Sequence, residues 1–170
     1  MKRLIYLTLI VMIAFVLGAC ASAMPQPSNE MINLGDRIGD FLITTGDGKD
    51  VIYVTKLHCP YDSNTNTESC EQPVGTKVNV GIGVIDDNLS SGKTLDEYWS
   101  EQIHEMTIEG RPVNLQAFGS IDFNNPIVGT VRVWNVVIVT DKPGTITAHS
   151  TGIVGGDPLD ETVILTFTKP

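Results

Sequence analysis

Basic residues are scarce in this 170-residue chain, where 11 lysines and arginines stand against 20 aspartates and glutamates for a formal charge of -9. That excludes nucleic acid as a partner, because phosphate binding needs a basic face that releases counterions. Aromatic residues make up only 6%, which argues against a module that stacks on sugar rings. Trp99 and Trp134 both have core explanations, the first on an apolar helical face and the second within an all-apolar run. No apolar stretch reaches the roughly 20 residues that a membrane-spanning helix requires. G-x-S-x-G and P-loop patterns are absent, and Gly81-Ile82-Gly83 lies inside a strand-like run without the third glycine or following helix of a dinucleotide fingerprint. The three histidines, His58, His104 and His149, are isolated from one another, and His104-Glu105 lacks the second histidine of H-E-x-x-H because Ile108 holds that place. Neither a cofactor nor a catalytic set is therefore expected. What remains, 42% hydrophobic and 18% charged, is the composition of one globular domain.

The front of the chain is different. Lys2 and Arg3 precede an apolar run from Leu4 to Leu17, followed by the small residues Gly18 and Ala19. This is the basic, apolar and small-residue order of a removable export signal. Leu17-Gly18-Ala19-Cys20 resembles the lipobox of bacterial lipoproteins. That resemblance implies cleavage before Cys20, a diacylglycerol on its thiol and acylation of the freed amine. Two or three acyl chains on one residue make a stable anchor where a single chain holds only marginally. The domain plan is accordingly a signal peptide at 1–19, a lipidated cysteine and linker at 20–34, and a single domain at 35–170. Pro25, Pro27, Ser22, Ser28 and Asn29 give the linker its composition. Cleavage removes two basic residues and no acid, so the formal charge moves from -9 to -11. Ala21 follows the cysteine where an aspartate would imply inner-membrane retention. The resemblance thus points to the outer membrane of a cell with two membranes, or to the outer face of a single cell membrane.

If Cys20 carries lipid, the remaining two of the three cysteines, Cys59 and Cys70, can pair as a disulfide in an oxidising extracytoplasmic compartment. The polar, turn-rich residues from Pro60 to Ser69 read as an exposed loop closed by that bridge. Ligation of a metal by His58, Cys59 and Cys70 is the chemical alternative, although the spacing lacks the paired pattern of zinc sites.

From Arg37 onward, short β-rich runs alternate with turn signals. Ile38 to Thr45 and Val51 to Leu57 flank Gly46-Asp47-Gly48 and read as a hairpin. Thr76 to Ile85 places Val78, Val80, Ile82 and Val84 on one face, with Gly81 and Gly83 opposite as points of close approach or a bulge. Met106 to Ile108 and Val113 to Phe118 flank Glu109-Gly110 as a second hairpin. Val131 to Val139 is apolar on both faces and belongs in the interior. Ile146 to Val154 and Thr162 to Thr168 close the chain. Leu95, Tyr98, Trp99, Ile103 and Met106 recur at helical spacing, and Thr94 with Glu97 forms a capping box. A helix from Leu95 to Glu105 follows. These features predict a mainly β domain, an antiparallel β-sandwich with one short amphipathic helix. The runs around the Pro-Gly turn in the final forty residues resemble the closing strands of bacterial immunoglobulin-like domains, without the Cys, Trp, Cys arrangement of antibody domains.

Asp86, Asn88, Ser90 and Glu97 stand at positions 1, 3, 5 and 12 of an EF-hand pattern, the oxygen-ligand offsets of a calcium loop. Ser91 occupies the place of the turning glycine and Lys93 that of the apolar residue, so half the pattern is present. Taken together, the sequence predicts a membrane-anchored extracytoplasmic lipoprotein whose β-sandwich is a binding or envelope-interaction domain, with an envelope protein or a glycan as candidate partners and the ligand unidentified. The other readings are an envelope enzyme or metal-handling protein using His58 and the acidic loop, and a purely structural envelope lipoprotein.

Overall fold

The computed structural model describes residues 30–54, 57, 59–85, 92–126 and 129–169. Cys20, His58, Asp86, Asn88 and Ser90 lie outside them. In chain order the described strands are β1 (Arg37–Ile38), β2 (Phe41–Thr44), β3 (Val51–Tyr53), β4 (Tyr61–Asp62), β5 (Thr67–Pro73), β6 (Lys77–Asn79) and β7 (Gly83–Ile85). After helix α1 (Leu95–Ser100) come β8 (Ile103–Ile108), β9 (Arg111–Pro112), helix α2 (Leu115–Phe118), β10 (Ser120–Asn125), β11 (Gly129–Trp134), β12 (Val137–Val139), β13 (Gly144–Val154) and β14 (Asp157–Thr168). The architecture is mainly β and sandwich-like, as the alternating runs predict. A five-stranded sheet, β1-β2-β12-β6-β3, and a six-stranded sheet, β4-β5-β14-β13-β8-β9, share one core, and a three-stranded sheet, β10-β11-β7, stands beside them. None of the described helices is long and apolar enough to cross a membrane.

Period-two alternation explains the core. On β14, Val163, Leu165 and Phe167 point inward, and across the sheet so do Ile146 and Ala148 on β13 and Met106 and Ile108 on β8. They meet Ile43, Val78 and Ile138 of the five-stranded sheet, and Phe41 tilts against Phe167 at a ring separation of 5.9 Å. Each such buried aliphatic or aromatic side chain contributes about 1.5–3 kcal/mol relative to exposure.

Val131 to Val139 is apolar on both faces because it changes sheets. Together with residues 77–85 it forms a two-stranded ribbon, pairing as β12 with β6 in one sheet and as β11 with β7 in the other. Val131 and Val133 face the smaller core with Tyr53, whereas Trp134, Val136 and Ile138 face the larger one. At the corner the side-chain amide of Asn79, 2% exposed, accepts from Gly81 N at 2.8 Å and donates to Trp134 O at 3.2 Å. Asn135 fastens the opposite side, accepting from Gly46 N at 3.0 Å and donating to Gly46 O at 2.8 Å. A Cβ on Gly81 would lie 1.8 Å from Trp134 O, and one on Gly83 would lie 2.4 Å from Arg132 O. The close approach read from these glycines is real.

Several local expectations are corrected. Helix α1 stops at Ser100, short of Glu105, because Ile103–Ile108 pairs with β13 along six residues and that ladder outweighs the helical spacing. The Gln102 side chain closes the helix, donating to Tyr98 O at 2.6 Å and accepting from Gly155 N at 2.7 Å. The first two runs do not form a hairpin: β2 pairs with β12, while β3 pairs in parallel with β6 on the far edge of the same sheet. A second parallel pair joins β5 to β14, so the sandwich is not wholly antiparallel. The segment from Pro60 to Ser69 is a hairpin rather than a loop, with Tyr61 opposite Glu68 and Asp62 opposite Thr67. Val113 to Phe118 is not a strand; the hairpin there ends with β9 and the chain turns into α2. Ser120–Asn125, not read as a strand from sequence, pairs with all of β11. The packed chain also begins before residue 35, since Ile32 is fully buried and bridged to Val113.

Substituting Gly81→Ala forces the two ribbon strands apart at their corner. We expect a loss of about 2 kcal/mol or more in urea unfolding, in the range of overpacking costs or above, whereas Gly110→Ala, whose Cβ meets nothing within 4 Å, costs less through its positive φ alone.

Candidate functional site

The inward face of the six-stranded sheet is apolar at one end and polar at the other. Continuing the parity of Phe167, Leu165 and Val163 backward brings Glu161 inward, and opposite it stands Ser150, 7% exposed. On the other flank, Cys70 and Glu68 take the inward positions of β5, in register with Leu165 and Val163. Glu68 and Glu161 are thus diagonal neighbours on one face. Both are half-buried, and they line a cavity of about 570 Å³ with Tyr61, Asn66, Pro158, Leu159 and Asp160.

The β4–β5 hairpin builds the wall of this cavity. Asp62 organises the turn, accepting from Asn64 N at 2.9 Å and from the Thr65 hydroxyl at 3.1 Å. These bonds hold the Asp62 carboxyl below the usual carboxylate range. Asn66 adopts φ 47° and accepts from the Tyr61 hydroxyl at 3.0 Å. Tyr61 remains 56% exposed at the rim. The Cys59–Cys70 disulfide, with a Cα separation of 5.0 Å, ties the start of the hairpin to β5. It is the pairing expected from cysteine parity.

Burial raises the Glu161 carboxyl above its ordinary value, and Glu68 is raised by burial first and by the charge of Glu161 second. Among the described residues, Glu68 Oε2 is buried with no hydrogen-bond partner, and neither acid forms an ion pair. The nearby His149 bonds to Asp160 at 2.8 Å, and Asp160 has the outward parity of β14. By contrast, Asp122 and Asp96 both pair with Arg132, which holds Asp122 below the usual carboxylate range.

Glu97 is occupied by its capping role, its Oε2 accepting from Thr94 N at 2.8 Å and from the Thr94 hydroxyl at 2.9 Å. Those bonds hold its carboxyl low. Its companions Asp86, Asn88 and Ser90 lie outside the described residues, as does His58. Among the described residues, the cluster with metal-ligand spacing is Cys59, Glu68 and Cys70, with both sulfurs held in the disulfide. Glu68, Glu161 and Tyr61 were not read as site residues in the sequence. The available signal was the parity of Val163, Leu165 and Phe167, which, extended two residues back, places an acid on an inward position.

His104, inside the helix expected from Leu95 to Glu105, faces inward from β8. Its Nδ1 accepts from Trp134 Nε1 at 2.7 Å, and Trp99 packs edge-on to it at a ring separation of 5.1 Å. Trp134 is buried and Trp99 half-buried, in agreement with their core reading. With Nδ1 accepting, the neutral ring carries its proton on Nε2, which is buried and unpartnered among the described residues. Burial holds the imidazole below its ordinary value of 6.5. The unfolded chain therefore takes up this proton first, and stability present above pH 6.5 is lost as pH falls through the ordinary imidazole range toward the lower folded value. Protonation also breaks the Trp134 bond. We expect the urea midpoint of the natural chain, followed by tryptophan fluorescence, to fall more between pH 7 and pH 5 than that of His104→Gln; equal falls would refute this assignment.

The chain matches no protein-family model, no curated protein and no solved structure in these comparisons.

Proposed function

We propose that the chain is an extracytoplasmic lipoprotein, held to a membrane through lipid on Cys20, whose β-sandwich binds a cationic side chain of an envelope protein in the cavity under Tyr61. The supporting observation is the placement of Glu68 and Glu161 on inward strand positions, without a basic partner among the described residues. A fold gains nothing from two acids there: apolar residues in their place would cost less desolvation and remove mutual repulsion. A lysine or arginine brought by a partner supplies the missing charge, and a cavity of about 570 Å³ has room for one extended side chain. Tyr61 at the rim offers a ring face to the same cation. Binding, rather than catalysis, is the role of the domain, and the linker and anchor present it at the envelope surface.

The probe is a short acetylated lysine peptide, titrated calorimetrically into the mature, disulfide-bonded chain at moderate salt. Saturable binding that weakens at least tenfold in Glu68→Gln/Glu161→Gln, and little in the remote control Asp47→Asn, is expected. Absent binding, or equal losses in both variants, contradicts the cavity as the site. In the same cells the natural chain should partition into detergent with a lipidated mass beginning at Cys20, and Cys20→Ser should not.

A further inference from the structure

The sulfurs of Cys59 and Cys70 and a carboxylate oxygen of Glu68 all lie within 4.8 Å of one another. Cys70 is buried, Cys59 and Glu68 are half-buried, and Glu68 Oε2 has no partner among the described residues. β5 carries Glu68 and Cys70 two residues apart on the same face, and the β4–β5 hairpin returns the chain so that Cys59 stands beside them. Two sulfurs and one carboxylate oxygen this close together are enough donors for three of the four positions of a tetrahedral metal. Zinc takes thiolates at about 2.3 Å and carboxylate oxygen at about 2.0–2.2 Å, which separates its ligands by about 3.3–3.8 Å. The three ligand atoms are already gathered within a slightly larger distance, and the main adjustment is for the bonded sulfurs to move apart.

We propose that reduction of the Cys59–Cys70 disulfide converts this corner of the sheet into a zinc site with Cys59, Cys70 and Glu68 as its protein ligands. The reductant is a dithiol. It transfers two electrons to the disulfide, becomes a cyclic disulfide itself, and leaves Cys59 and Cys70 as thiols. Zinc then replaces the two thiol protons, which are released, and Glu68 coordinates through its carboxylate; water completes the fourth corner. Oxidation by a disulfide reverses the sequence and expels the metal. The same three residues thus hold the hairpin in either state, by a covalent bond when oxidised and by coordination when reduced. The proposal is independent of peptide binding in the cavity, which concerns the oxidised chain.

Cobalt(II) is the probe, titrated into the full mature chain reduced by a phosphine, which does not compete for the metal. The expected result is one equivalent bound with thiolate-to-cobalt absorption in the near ultraviolet, displaced by zinc with release of protons. Cys70→Ser abolishes the absorption, Glu68→Gln weakens affinity about tenfold or more, and the oxidised chain shows none. Circular dichroism follows folding in parallel: if the reduced chain loses structure, zinc restores it. Absorption that persists in Cys70→Ser, affinity unchanged in Glu68→Gln, or a reduced chain that neither binds cobalt nor refolds with zinc overturns the proposal.

Discussion

The register of one strand governs both the core and the cavity. β14 pairs with β13 over eleven positions and with β5 in parallel over seven, so it is the axis of the six-stranded sheet. Because side chains alternate with period two, its register decides which set faces inward, and a slip of one residue would turn all of them out. The chosen parity buries Val163, Leu165 and Phe167. It also commits Glu161 to the same face, and through β5 it brings Glu68 and Cys70 alongside. The apolar end of that face holds the sheets together; at the polar end two half-buried acids have no ion-pair partner among the described residues.

A second constraint joins the layers. The ribbon formed by residues 77–85 and 129–139 belongs to the five-stranded sheet at one end and to the three-stranded sheet at the other; where it bends, Asn79 bonds the ribbon backbone and Asn135 ties the bend to Gly46. Side-chain amides at a sheet corner are well suited to this task, since each can donate and accept at once. The glycines at the bend let the strands approach more closely than a side chain would allow.

Much of this was legible in the chain. The strand runs, the apolar face of Val78 to Val84, the closeness of the Gly81 and Gly83 backbones, the Thr94–Glu97 cap and the cysteine pair follow from local chemistry. Pairing partners did not, because β2 and β3 look like neighbours in sequence while tertiary packing sends them to different places in the sheet. The end of α1 departs from its periodicity for a related reason: Ile103 and Met106 fit a helical spacing, but His104, Met106 and Ile108 fit a strand equally well, and pairing with β13 decides between them. The cavity was hidden by its composition. Tyr61, Asn66 and Glu68 belong to a polar stretch that reads as loop, and Glu161 precedes the apolar residues that mark its strand. Acids on an inward face carry no motif; they emerge only when a neighbouring strand reveals the parity.

The central claim is that Glu68 and Glu161 share an inward face without a base to compensate them among the described residues. Carbon-13 NMR of their side-chain carboxyls, followed against pH in the disulfide-bonded chain, measures this directly. Both midpoints are predicted to lie above the ordinary glutamate value of 4.5, with that of Glu68 moving down when Glu161 is replaced by Gln. Midpoints at or below the ordinary value, indifferent to that replacement, would contradict the account.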